Sequence, residues 1–538
     1  MVLSDRQHSW FEGALTGACI VMVAVLCTAF NGGVSVGASN HTGLLPVVRR
    51  LLDPQYLPGD FNIALRLYHH RVFAWLIAGA ASWLGETRGI VVLHVAGALL
   101  LGWALWYLCR TLGLGRLAYL VVGLFLATGF LWTGRGLEEN DFIGNAELQP
   151  PLFAHTFVLL STAMLIQRRY RWTAVCAGLA VLFHLQIGVI WTLVLAPFYA
   201  VRLREFDVKE LLRLAGCYLL PAAPALWHLL AMLRHGLLQA AASEYSLAYY
   251  IEFRHPHHFA LMSAAHGLWV GGHVAALGLI WWWLWRGECE GSRAVGVLFG
   301  LSLGLTVLAL AHFIDYYLIK HDKFANIQSI RLSPLLTVFG AIAFVLLFNR
   351  VLAEAAQRNG QRWLVPALNV ALLCAAAIWG YRVAHQPEAE FRFGVSVYAD
   401  LSDKRGARRR WVELCNWIKA NGARDTVYLT SPANDGFTVL TDRSNVVEFK
   451  TNPDGALQMN EWFARLKDLS GGKLPDAGGL NNREPLNQAY GALSAEQFVA
   501  LGLKYRAGFA VVPKNAKLPF EVVYANEGLK LVKLPAAP

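Results

Sequence analysis

The chain reads as long apolar runs separated by short charged connections, and one connection breaks that rhythm. A run of about 17 to 25 apolar residues is long enough to cross a bilayer as a helix. By that measure, spans are expected near 13–31, 89–109, 117–133, 151–166, 173–184, 186–200, 214–234, 259–285, 294–318, 333–348 and 364–384, about eleven in all. The runs 173–184 and 186–200 are short, and the polar break at His184, Leu185 and Gln186 predicts one interrupted pair in which His184 lines a cavity. The exceptional connection is 31–88, which carries acids, histidines and arginines where a tight turn would serve. Ionisable groups are costly beside lipid, so a functional site is expected in this loop.

Basic residues set the orientation. Arg110 and Arg116, then Arg168, Arg169 and Arg171, then Arg202, Arg204, Lys209 and Arg213, then Arg286 and Arg293, then Arg350, Arg358 and Arg362 all fall on one side if the N-terminus is cytoplasmic. That is the expected bias. It holds only if 61–85 does not cross, because a crossing there would move the QRRYR connection to the other side. Residues 61–85 are therefore read as an amphipathic helix in the outer interface, with Phe73, Trp75 and Leu76 toward the apolar zone.

After Arg382 the apolar runs stop, and 385–538 reads as a soluble α/β domain on the outer side. Strands are expected at 425–431, 437–442, 445–450, 507–514, 520–525 and 529–535, and helices at 408–420, 457–469 and 494–502. The expected fold is an α-helical polytopic membrane domain, 1–384, followed by a soluble α/β domain, 385–538.

Composition agrees with this. Across 538 residues, 56% are hydrophobic and 15% charged, and the mean hydropathy is +0.41, which excludes a string of soluble domains. The net charge of +11 is explained by the basic connections, so no nucleic-acid partner is implied. Seven of the eight cysteines lie in or beside apolar runs and only Cys415 lies in the soluble tail, which leaves no disulfide available there. The first apolar run lacks a small-residue cleavage site and is read as a retained helix.

Three outer loops hold the candidate chemistry. The first offers Asn40, His41, Asp53 and Asp60. Either aspartate could serve as a general base; Asp53 before Pro54 reads first as a turn former, whereas Asp60 ahead of FNIAL is equally a helix cap. His41 could shuttle a proton or bind a metal. In the second loop Glu138, Glu139, Asp141 and Glu147 could hold a divalent cation such as Mg or Mn, or they could form a solvated acidic loop. The third offers Glu244, Tyr249, Glu252, Arg254, His255, His257 and His258. At the entrance to the run 333–348, Arg331 is the best phosphate ligand, with Lys320 and Lys323 nearby in sequence; basic residues at helix ends are also ordinary membrane anchors.

The order of these parts resembles the GT-C glycosyltransferases, which use polyprenyl-phosphate sugars. The resemblance is carried by one helix, a long outer loop, the interface segment from Tyr68 to Ala78 ending in Leu84-Gly85, and a helix pair flanking an acidic second loop. It covers roughly 13–200 and extends loosely to RLSPLL at 331–336, while DRSNVVEFKTNP and NEWFARLKDL are similar to the periplasmic domains of such proteins. It implies a bacterial inner-membrane enzyme with a periplasmic C-terminal domain. Such an enzyme transfers a sugar from a polyprenyl phosphate to the hydroxyl of a glycan, lipid or protein acceptor. Asp60, His41 or Asp53 would be the catalytic base, and Glu138, Glu139 and Asp141 would hold the acceptor or a metal. Arg331, Lys320 and Lys323 would hold the donor phosphate, and Asn40 and His184 would line the cavity. One departure stands out: Asn40 and His41 occupy the register where many members place an acid. The rival reading is a non-catalytic transporter or scaffold of polysaccharide or lipid-carrier export.

Overall fold

The computed structural model describes residues 5–66, 70–130, 143, 146–234, 249–261, 271, 274–275, 277–278, 282, 292–320, 327–359, 361, 363–385, 392, 394–398, 406–453 and 456–535. Most of them are helical. Among the described residues six helices are long and apolar enough to cross a membrane: Phe11–Phe30, Glu86–Thr111, Val208–Ala231, Arg293–Ile319, Ser329–Glu354 and Leu364–Ala384. Shorter apolar helices are Arg71–Leu84, Arg116–Thr128, Pro150–Ile166, Tyr170–Phe183 and Leu185–Ala200. The chain is a multi-pass membrane protein, as its apolar runs predict. The expected span 259–285 lies largely outside the described residues.

The described residues form two compact units. The first comprises Met1–Val34, Val92–Ala225 and His257–Gly394, and the second Ser35–Val91, Leu226–Pro256 and Val395–Pro538. The sequence divides the chain at residue 384, whereas packing groups most of the first loop with the C-terminal segment.

In the first unit the short helices pack by close approach. A side chain at Gly188 would bring its Cβ within 2.3 Å of the Val181 backbone nitrogen, so the helices on either side of His184 meet backbone to backbone. The Phe153 and Phe183 rings stack at 4.9 Å, and the indole of Trp191, fully buried, donates to Ser161 Oγ at 3.0 Å. The helix Pro334–Asn359 runs eleven residues past the expected end at 348. Its extension is polar and carries an Arg350–Glu354 ion pair at helical spacing, which a hydropathy criterion does not register.

In the second unit the C-terminal segment builds a five-stranded sheet from β1 (Val427–Leu429), β2 (Ser444–Asn445), β3 (Ala507–Pro513), β4 (Val522–Ala525) and β5 (Leu529–Lys533). The order is β2-β1-β3-β5-β4; the first three are parallel and the last two pairings antiparallel. Helices Ala456–Leu469, Arg483–Gly491 and Ala495–Tyr505 contribute Trp462, Leu466, Tyr490 and Phe498 to its core.

Three expectations are corrected. Residues 437–442, rich in β-formers, are not a strand but the helix Phe437–Thr441, and of 445–450 only Asn445 is in a strand. Gly436 adopts φ +80° ahead of that helix, and a buried carboxylate satisfies its first N–H groups, a tertiary contact that overrides local propensity. The stretch 61–85 is not one helix but two, Phe61–Leu65 and Arg71–Leu84, with His70 in the left-handed region at φ 47°. The 14 residues of the second rise only ~21 Å, short of a ~30 Å hydrocarbon core.

Candidate functional site

Within the second unit a small cleft is lined by Thr42, Gly43, Pro46, Asn62, Ile63, Thr438, Glu448 and Thr451. Two buried acids belong here, Asp60, which is near enough for its charge to act on Glu448, and Glu448, which lines the cleft; local sequence explains the first. Pro58 and Gly59 turn the chain so that Asp60 takes the N-cap of Phe61–Leu65 with extended backbone, and its Oδ1 accepts the Ile63 N–H at 2.8 Å. Asp60 is 2% exposed. Burial pushes its carboxyl up to about 6 against the opposing pull of the Ile63 and Asn62 N–H groups, the Ser444 side chain and Arg50.

The second acid is Glu448, also 2% exposed. Its carboxylate accepts the Phe437 N–H at 2.9 Å, the Gly436 N–H at 3.2 Å and the Thr451 hydroxyl at 3.3 Å. Burial, joined by the charge of Asp60, pushes it up to about 7 although the Gly436, Phe437 and Thr438 N–H groups favour the ionised form. Asn62 ties the two sides together: its Oδ1 accepts the Glu448 N–H at 3.2 Å and its Nδ2 donates to Asn445 Oδ1 at 2.8 Å. The pair is therefore a set of carboxyl groups able to take or give a proton near neutrality. Glu448 was not singled out from sequence. The available signal is an acid inside the apolar run Val446, Val447, Phe449, all of which are buried.

The other first-loop candidates part company. His41 is fully buried, and its Nδ1 accepts the Gly37 N–H at 3.1 Å. Asn40 is exposed at the start of the helix His41–Leu52. Asp53 is exposed, and its carboxylate accepts the Gln55 N–H at 2.9 Å, which is the turn-forming use of an Asp-Pro pair. Arg49, also unremarked in the sequence, is the hub of the loop. It binds Glu86 with two bonds of 2.8 Å, Asp442 at 2.7 Å, the Val439 carbonyl at 2.8 Å and the Tyr398 hydroxyl at 2.7 Å. Burial raises the Asp442 carboxyl, but Lys419 at 2.7 Å and Arg49 prevail and hold it below the usual range.

The remaining candidates belong to the first unit. Arg331 is half-buried on the short helix Ser329–Leu332, where its guanidinium bonds to Gln328. Lys320 is exposed with φ 57°, and its N–H donates to the Asp315 carbonyl at 2.7 Å. His184 is buried between Tyr170–Phe183 and Leu185–Ala200; its Nδ1 accepts the Ile187 N–H at 3.4 Å, a capping role. Lys323, Glu138, Glu139 and Asp141 lie outside the described residues, and of the four acids expected to hold a cation only Glu147 is described, where its carboxylate accepts the Gln149 side-chain N–H at 2.9 Å.

A family model described as a domain of unknown function, DUF6798, matches residues 409–469, the stretch that contains Asp442 and Glu448. No curated protein matches the chain. Two crystal structures of ArnT from Cupriavidus metallidurans are similar to it. The one bound to undecaprenyl phosphate is 13% identical with a TM-score of 0.47, covering 98% of this chain and 99% of that one. The apo structure is 12% identical with a TM-score of 0.49, covering 99% and 100%. ArnT is a GT-C glycosyltransferase, the superfamily that the sequence resembles. Both TM-scores lie below 0.5, so the likeness adds no argument about this chain's activity.

Proposed function

We propose that the chain is a bacterial inner-membrane glycosyltransferase of the GT-C type, moving a sugar from a polyprenyl phosphate to an acceptor hydroxyl of an envelope glycan, lipid or protein. The N-terminus is cytoplasmic and the C-terminal segment periplasmic in this reading. The observation that carries it is the pair of buried acids, Asp60 and Glu448, beside a cleft lined by Thr42, Thr438, Thr451 and Asn62. A base must hold a proton weakly enough to release it and strongly enough to take it. Carboxyl groups pushed up to about 6 and about 7 meet that need near neutral pH.

In the reaction, the acceptor hydroxyl gives its proton to Asp60 as its oxygen bonds to the anomeric carbon. The bond from that carbon to the phosphate oxygen breaks, and the electron pair leaves with the phosphate. Arg331, Lys320 and Lys323 are the cations assigned to the leaving charge, a role that electrostatic stabilisation makes large. A divalent cation, Mg or Mn, would be held by Glu138, Glu139 and Asp141.

The test is sugar transfer from a polyprenyl-phosphate donor by purified protein. Asp60→Asn, which keeps an acceptor oxygen for the Ile63 N–H, is expected to lower kcat by about 10²- to 10⁴-fold. A second reading is favoured by the bonds that these acids already make: Asp60 caps a helix and Glu448 holds two backbone N–H groups. Full activity in Asp60→Asn would sink the base assignment. No transfer by the wild-type protein with any polyprenyl-linked donor would leave a transporter or scaffold.

A further inference from the structure

Asp60 and Glu448 lie on the two sides of one seam inside the second unit, Asp60 on the first loop and Glu448 on the C-terminal segment. Neutral contacts join the sides. Asn62 donates to Asn445 Oδ1 at 2.8 Å and accepts the Glu448 N–H at 3.2 Å. The helix His41–Leu52 packs on Phe437–Thr441, where the Thr42 methyl lies 3.0 Å from the place that a Cβ on Gly436 would take. Each acid also caps a short helix: Asp60 accepts the Ile63 N–H, and Glu448 accepts the N–H groups of Gly436 and Phe437. Loosening either carboxyl therefore loosens a helix that forms the seam.

Most charge around the seam is bound to other groups. Arg50 acts on Asp60, yet its guanidinium bonds to the Tyr56 and Leu57 carbonyls. On His41–Leu52, His41 Nδ1 accepts the Gly37 N–H and Arg49 pairs with Glu86 and Asp442. On Ala407–Asn421 the buried Cys415 thiol is near enough to feel Glu448, Arg408 donates to the Asp435 carbonyl, and Lys419 pairs with Asp442. Arg443 donates to the Gly422 and Lys419 carbonyls, Lys450 to Ser39 Oγ, and Arg66 to Asn452, while Arg465 pairs with Glu461. Neither Asp60 nor Glu448 forms an ion pair among the described residues, and the charge of one acts on the other.

We propose that Asp60 and Glu448 form a proton-dependent latch between the first loop and the C-terminal segment, closed while the pair keeps at least one proton and loosened when both carboxyls are ionised. Two carboxylates this far from water lose hydration and repel each other, and the N–H groups that they accept do not change with pH. Burial raises the carboxyls from 3.8 to about 6 and from 4.5 to about 7, so protons favour the closed form fully below 3.8, and that contribution is gone once pH passes about 7. The latch is local to the seam and does not rest on the sugar-transfer reading.

The test is peptide-resolved hydrogen exchange of the full chain in detergent, expressed as protection relative to unstructured peptide at each pH from about 5 to about 8. Protection within 41–65 and 437–448 should fall about tenfold or more across that range, while Ala495–Tyr505 and Ala507–Pro513 keep theirs. Glu448→Gln and Asp60→Asn should each flatten the fall, because one neutral partner leaves no pair of charges to repel. Should one variant fail to fold, the other decides. The proposal is overturned by wild-type protection that does not change with pH, or by an equal fall in Ala507–Pro513, which marks a general loss of stability. It is also overturned by a fall that survives in the variants that fold, as titration of His41 would give.

Discussion

Arg49 and Asp442 lie 393 residues apart in sequence and are joined at 2.7 Å, a bond that fastens the first loop to the C-terminal segment inside one compact unit. Because Arg49 also grips Glu86 with two bonds, its removal takes the guanidinium from two acids at once, leaving Asp442 with Lys419 and Glu86 with the Tyr398 hydroxyl. Breaking a largely buried pair from one side costs about 3 kcal/mol, less where water reaches the partner, as at the partly exposed Asp442. Arg49→Met should lower the unfolding midpoint clearly, and Arg49→Lys, which keeps the charge and loses the fork, should recover part of the loss. Equal stability of Arg49→Met and wild type would show that the hub is dispensable.

Stability should fall as pH rises through the range of the buried acids. Asp60 and Glu448 have carboxyls raised from 3.8 to about 6 and from 4.5 to about 7, so the folded state holds their protons more tightly than the unfolded state does. That contribution is complete below the unfolded values and is lost as pH climbs to about 7. Glu448→Gln, a neutral mimic of the protonated acid, should flatten the midpoint-against-pH curve between 4.5 and about 7. Asp442 works the other way: its lowered carboxyl contributes stability that disappears as pH falls below 3.8. A curve that rises from pH 4.5 to 7 in wild type would refute the assignment of the first two.

Among the loop acids, activity should separate Asp60 from Asp53. Asp53 is exposed and serves a turn, so Asp53→Asn should leave sugar transfer within about twofold of wild type, a surface change of a few tenths of a kcal/mol. Arg331→Gln should lower kcat more than it raises KM if the guanidinium meets charge that develops only as the phosphate leaves. Equal losses for Asp53→Asn and Asp60→Asn would remove the distinction.

Backbone contact at the interrupted helix pair gives a test that is independent of function. Gly188→Ala puts a carbon 2.3 Å from the Val181 nitrogen, and the overpacking should cost about 1–3 kcal/mol. His184→Ala should cost about 1 kcal/mol through the lost cap. Differential scanning of the two purified variants would rank them, and a Gly188→Ala midpoint at the wild-type value would mean that the helices do not meet as described.

Much of the membrane part was legible from periodicity and length. The break at His184 fell where a polar triplet interrupts apolar sequence, and the structure ends one helix at Phe183 and starts the next at Leu185. In the C-terminal segment, strands at β1, β3, β4 and β5 lie where alternating β-formers stand between turn residues. The turn chemistry of Asp53 and the capping position of Asp60 were also written locally, in Asp-Pro and Pro-Gly-Asp.

What sequence alone determined about this protein, then, is its multi-pass helical character, its small α/β segment and the local duties of single residues, because periodicity, caps and turns are short-range properties. Tertiary structure alone decided that 35–91 packs with 395–538, that 437–441 is a helix and that Glu448 stands with Asp60. It also decided that Arg49 is partly buried among acids and that Arg254 is buried against backbone carbonyls. Burial, and the shift in proton affinity that follows from it, depends on segments hundreds of residues apart, and no local pattern encodes which of them will meet.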